Sequence, residues 1–214
     1  MNLIYIADPM CSWCYGFSKE LSLLMSMLPN VPLRIVVGGV RAGETAVMTE
    51  EMKQFRLSHW ERVEKVSGLV FNRNAFMKRR DFVYDTEPAC RAVVTARKMA
   101  PTVDQLGVLR AIQSAFYAQG LDTTSGDVLA DVTSAAMIRA GVNTDAASFL
   151  TTWKTAETIA ETQSEFVQAR RWGISSFPCL LLDVDGKLHT VSSGYTSAEN
   201  LKVQLQVLGD NILL

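Results

Sequence analysis

The stretch Leu3-Ile4-Tyr5-Ile6-Ala7-Asp8-Pro9-Met10-Cys11-Ser12-Trp13-Cys14 decides the fold. Its first five residues are an apolar, strand-forming run stopped by Asp8-Pro9, which reads as a short buried strand. Beyond the cysteines, Phe17, Leu21, Leu24, Met25 and Leu28 recur at spacings of three and four. That spacing predicts a helix with one buried face from Phe17 to Leu28, ended by Pro29-Asn30. Val31 to Val40 carries Leu33, Ile35, Val36 and Val37 before Gly38-Gly39 and reads as a second strand, parallel to the first with the helix as crossover. The cysteines therefore stand at the first junction of a βαβ unit, beyond the carboxyl end of a strand, where catalytic groups gather in such sheets.

That position has chemical meaning. Unpaired amides and the dipole at a helix entrance stabilise a thiolate, and in Cys-x-x-Cys motifs the thiol pKa can fall from about 8.5 to as low as roughly 3.5. Cys11 is expected to be the nucleophile. Cys14, three residues on and shielded by the helix it enters, is placed to attack a mixed disulfide at Cys11 and release the partner. Ser12 can donate to the thiolate. Trp13 either offers a substrate chain an apolar surface or packs the helix start.

Working outward, strand signals nearly vanish from Gly43 to Thr155, while helical patterns appear. These are Met52, Phe55, Trp60, Val63 and Val66; Leu106, Leu109, Ile112 and Phe116; and Val128, Leu129, Val132 and Ala136. Gly120 and Gly141 read as stops, and Asp85-Thr86-Glu87-Pro88 as a helix start. A further helix is expected from Glu157 to Trp172, closed at Gly173. Pro178 to Val184 and Lys187 to Ser192 then form a hairpin around Asp185-Gly186, and a last helix runs from Ser197 to Leu208. The organisation expected is residues 1–42 with 156–214 as one α/β unit, and 43–155 as an all-helical insertion packed on it.

Composition bounds the partners. Hydrophobic residues make up 48% of the 214, an ordinary globular balance. Lys and Arg number 21 against 22 Asp and Glu, which gives no field favouring nucleic acid or an anionic membrane. The run Lys78-Arg79-Arg80 reads as a solvated face. The N-terminus has neither a cationic start nor a long apolar run, so the expected address is the cytoplasm. In that reducing compartment a Cys-x-x-Cys pair is more often catalytic or metal-binding than structural.

Strand, Cys-x-x-Cys, helix, strand, and much later Gly173-Ile174-Ser175-Ser176-Phe177-Pro178 opening a terminal hairpin and helix, together resemble the thioredoxin fold. The long helical insert is similar to the DsbA family, and more closely to its cytoplasmic branch of predicted protein-disulfide isomerases. Asp8-Pro9-Met10-Cys11-Ser12-Trp13-Cys14 and Asp85-Thr86-Glu87-Pro88-Ala89-Cys90-Arg91-Ala92 both look like that branch, and the match covers nearly the whole chain. The resemblance implies a thiol–disulfide oxidoreductase or isomerase whose redox element is the Cys11–Cys14 disulfide, with no other cofactor. It also implies that Pro178 is cis and faces Cys11, leaving Phe177 to pair with an extended substrate segment. Protein or peptide thiols are the expected partners, with glutathione as a co-substrate. The dipeptide Ser12-Trp13 is neither the Gly-Pro of thioredoxin nor the Pro-His of DsbA, and that dipeptide tunes the redox potential.

The other chemistry-bearing residues have plainer readings beside these. Cys179 should alternate with Pro178 across the pleat and point away from Cys11 as a small buried hydrophobe; Cys90 reads the same way. Asp8 reads as a turn residue, with a proton relay to Cys14 as the alternative. Trp60 and Trp153 read as packing. Three rival functions stand: all four cysteines in one zinc site of a binding module, although Cys90, Cys179, His59 and His189 lack ligand spacing; a glutathione-binding enzyme like the kappa-class transferases, which generally carry Ser where Cys11 stands; and a redox-dead docking protein.

Overall fold

The computed structural model describes residues 1–212, among which lie four strands and nine helices. Strand β1 (Asn2–Ala7) leads through helix α1 (Ser12–Met27) to β2 (Leu33–Val37). The two strands pair in parallel, Leu3 opposite Leu33 and Ala7 opposite Val37, so the βαβ unit forms as its pattern predicts. The helix starts at Ser12 rather than near Phe17, because Tyr15 and Phe17 already face the core and the turn closes directly behind Asp8. Strand β3 (Cys179–Val184) lies antiparallel on the other side of β1 and is followed by β4 (Lys187–Ser193), giving the order β2-β1-β3-β4. Asp185 and Gly186 both adopt positive φ, 53° and 85°, as a two-residue hairpin turn of this twist requires.

Both sheet faces are covered. Alternation along β1 sends Leu3, Tyr5 and Ala7 to the main core and Ile4 and Ile6 to a smaller one, which Ala169 and Trp172 complete. The main core does not stop at the sheet. Helices α2 (Glu50–Ser67), α3 (Arg73–Met77), α4 (Glu87–Met99), α5 (Gln105–Tyr117), α6 (Gly126–Arg139) and α7 (Ala146–Trp153) follow β2, before α8 (Ala156–Arg171) and, after the hairpin, α9 (Ala198–Ile212). Trp60, Phe71, Phe76, Phe82, Tyr84, Phe116 and Tyr117 form one aromatic cluster there, and Tyr117 stacks on Tyr15 of α1 at 4.9 Å between ring centroids. Trp153 packs as expected, beneath the Arg91 guanidinium.

The expected solvated face of Lys78-Arg79-Arg80 is corrected at its middle residue. Arg79 is not on a solvated face: its guanidinium lies 4.4 Å over the Phe82 ring and 4.7 Å over Phe116, and it donates to the carbonyls of Gly120 and Leu121. Lys78 and Arg80 beside it are exposed. Phe55 and Val66, two members of the apolar pattern of α2, are exposed. At about 100° per residue, Phe55 stands some 140° around the helix from buried Trp60, so one stripe cannot hold both.

Candidate active site

Cys11 is the N-cap of α1, with extended backbone angles of φ −88° and ψ 118°. The amides of Trp13 and Cys14 are the second and third of the helix, the donors that an N-cap side chain is placed to accept. The Cys11 thiol is half-buried and the Cys14 thiol fully buried, so only the first sulfur is open to a partner. The pKa of Cys11 is lowered by the hydrogen bond from the Cys14 thiol, and further by the amides of Cys14 and Trp13, against burial and the nearby Asp8. Cys14 is driven far the other way, by burial first and then by the neighbouring Cys11. The two sulfurs thus differ in acidity, the Cys11 thiol lowered and the Cys14 thiol raised.

The loop carrying Cys11 is clamped from several elements. Asp8 is fully buried; its Oδ1 accepts the Met10 amide at 2.8 Å and its Oδ2 the Val40 amide at 2.8 Å. The first bond is the turn expected of Asp8, while the second ties the cysteine loop to the end of β2. Burial raises the Asp8 pKa in spite of hydrogen bonds from Thr86, the two amides and Cys90. The hydroxyls of Tyr84 and Tyr117 each donate to the Met10 carbonyl at 2.5 Å, and Tyr5 donates to the Cys14 carbonyl at 3.2 Å. Burial pushes the Tyr84 hydroxyl up to about 12, so it stays a donor at neutral pH. Sequence reasoning missed these tyrosines: the contacts span 74 and 107 residues, and a tyrosine on an apolar face carries no local sign of what its hydroxyl reaches.

Phe177-Pro178 is a cis peptide, as the resemblance implied, and the Cys11 sulfur stands 3.8 Å from the Phe177 carbonyl oxygen. The Phe177 ring lies against Gly38, where a Cβ would fall 2.3 Å from ring carbons. A side chain there would displace the ring, which gives this glycine a packing reason. Trp13 is half-buried with its ring 6.1 Å from that of Tyr195, so it packs the helix start while keeping part of its surface open. Ser12 lines a cavity of about 140 Å³ beside Cys11, together with Met10, Arg41, Arg56 and His59.

Of the remaining cysteines, Cys90 is buried with its sulfur 3.7 Å from Asp8 Oδ2, and Cys179 lies in the smaller core on the opposite face of the sheet from Cys14. Burial raises both thiols, Cys179 to about 11. Placing Cys14 and Cys179 on opposite faces dissolves the four-cysteine zinc site. Among the described residues no helix is long and apolar enough to cross a membrane.

No family model and no curated protein matches the sequence. Solved structures do. A candidate protein disulfide isomerase from Nitrosomonas europaea superposes with a TM-score of 0.86 at 29% identity, over 98% of each chain. The cytosolic disulfide reductase DsbM from Pseudomonas aeruginosa matches with a TM-score of 0.78 at 22% identity over the whole of both chains. DsbM with glutathione gives 0.73 at 21%, again over both whole chains. By its sheet order, its helices between β2 and β3 and these neighbours, the chain has the α/β thioredoxin-like fold of DsbA-like members of the thioredoxin superfamily.

Proposed function

We propose that the chain is a thiol–disulfide oxidoreductase or isomerase acting through Cys11 and Cys14 in the cytoplasm. The observation that carries this reading is the division between the two sulfurs: one half-exposed and acidified at a helix entrance, the other buried and held protonated. In the first step the Cys11 thiolate attacks a partner disulfide, forming a mixed disulfide and expelling one partner thiolate, which takes a proton from water. Cys14 then loses its proton and attacks the Cys11 sulfur. The second partner thiol leaves, and the Cys11–Cys14 disulfide remains. The protein is oxidised and the partner reduced; the reverse sequence oxidises a dithiol partner. Asp8, buried and with a raised pKa, is the proposed acceptor for the proton of Cys14, whose thiol its charge pushes up.

Pro178 places no amide hydrogen beside the nucleophile, and the Phe177 backbone and the open part of Trp13 border the path of a partner chain. Residues 1–42 and 156–214 carry the redox pair, and 43–155 supply the tyrosines that hold its loop and a wall of the adjoining cavity. The pair needs no resident cofactor. Protein and peptide thiols are the substrates, with glutathione as a small-thiol partner, a reading that the likeness to DsbM supports.

The test is a Cys14→Ser variant, which removes the resolving sulfur. It is expected to accumulate mixed disulfides at Cys11, seen as reductant-sensitive adducts by mass spectrometry and lost in the Cys11→Ser, Cys14→Ser double variant. Adducts that persist without Cys11, or none at all, overturn the assignment.

A further inference from the structure

The cavity beside Cys11 is walled by cations that the exchange chemistry does not use. Arg56 projects from α2 with its guanidinium 4.0 Å over the ring of Tyr84, the residue that holds the Met10 carbonyl next to the nucleophile. Among the described residues Arg56 makes no ion pair, and its buried Nε has no hydrogen-bond partner. A guanidinium fixed on an aromatic face with unused donors is a ready carboxylate receptor, since it binds planar anions in a forked, charge-assisted geometry.

Its neighbours extend the same character. His59 lines the cavity, and Arg62 Nη2 lies 2.9 Å from its Nδ1. Nδ1 therefore accepts, and the ring proton sits on Nε2 as a further donor. Arg41 stands on the same wall, already paired with Glu44 at 3.2 Å. A second hollow of about 240 Å³ opens on the other side of Arg41, Phe55 and Arg56. Its one carboxylate, Glu51, is turned to the start of its own helix through Thr49. Phe55, 67% exposed, forms an apolar rim between the two hollows.

Resting on the exchange reading above, we infer that this groove is a specificity subsite in which Arg56, assisted by His59 and Arg41, binds a carboxylate of a small thiol or disulfide while its sulfur meets Cys11. The cavity volumes fit a few residues of peptide rather than a folded partner, and the positive lining selects acidic partners over neutral or cationic ones of equal size. With a carboxylate-bearing disulfide, Cys11 forms the mixed disulfide and expels one thiol. Cys14 expels the second, so one disulfide becomes two thiols as the protein dithiol becomes its disulfide.

The experiment is single-turnover oxidation of the reduced full-length protein at fixed ionic strength, with glutathione disulfide as probe and its fully esterified form, which keeps both ammonium groups and lacks every carboxylate, as the counterpart. The wild type is expected to react about tenfold faster with the acid than with the ester, once each rate is divided by that of a small model dithiol. Arg56→Gln is expected to bring that ratio close to one, and Arg56→Lys to keep part of the preference. A wild-type ratio near one, or a ratio that Arg56→Gln leaves unchanged, overturns the subsite while leaving the exchange reading intact. Failure of both disulfides to react at Cys11 overturns the two together.

Discussion

At the scale of single residues, the site is governed by how burial and helix geometry distribute protons. Cys11 and Cys14 were legible in the sequence because the motif and its address at a strand-to-helix junction are local. The state of Asp8 was not, because it depends on Val40, Thr86 and Cys90 closing over it. Burial raises its pKa in the folded chain, so the folded state binds the proton longer than the unfolded one. Stability is then undiminished below the ordinary carboxylate value near about 4 and falls as pH rises through the raised value. Denaturant unfolding of wild type and Asp8→Asn across this range is expected to show the variant gaining on the wild type as pH increases. A difference that stays constant with pH contradicts that role for Asp8. The rim residue Phe55 and the receptor Arg56 escaped sequence reading for a related reason: on α2 they look like ordinary members of an amphipathic helix until the Cys11 loop is laid beside them.

At the scale of elements, the strand, helix, strand start and the terminal hairpin could be read directly, since apolar runs, Asp185-Gly186 and Pro178 are local signals. The contact between the two halves of the site could not. It rests on the Phe177 ring lying against Gly38, two positions with the whole insertion between them. Gly38→Ala places a Cβ where the ring now stands, so the Phe177 ring must be displaced from its packing beside the cysteine loop. The expected cost is about 1–3 kcal/mol of stability, together with a several-fold slower exchange rate, read by denaturant titration and a disulfide-reduction assay. Unchanged stability and rate remove the assigned role of this contact.

At the scale of the whole molecule, the helices between β2 and β3 share one core with the sheet. Their aromatic cluster reaches Tyr15 of α1, and Arg97 of α4 meets Glu165 of α8 at 2.6 Å while Glu165 accepts the Val37 amide of β2 at 2.9 Å. Sequence patterns announced the helices but not this joint, because charged residues on amphipathic helices ordinarily face water. Glu165→Gln removes the charge from a nearly buried pair while Arg97 keeps Glu161, so the loss is expected to be roughly 2 kcal/mol. A lowered midpoint in chemical unfolding checks it; an unchanged midpoint would show that the joint adds nothing to stability. Arg79 teaches the same lesson: a basic run looked solvated, and tertiary aromatics claimed one member.

The most direct measurement is the pH dependence of alkylation of the reduced protein by iodoacetamide, resolved cysteine by cysteine with mass spectrometry. Cys11 is expected to react first, with a midpoint below the ordinary thiol value of about 8.5, while Cys14, Cys90 and Cys179 stay protected in the folded state. A midpoint for Cys11 at or above that value, or prior reaction of Cys14, contradicts the division of roles between the two sulfurs.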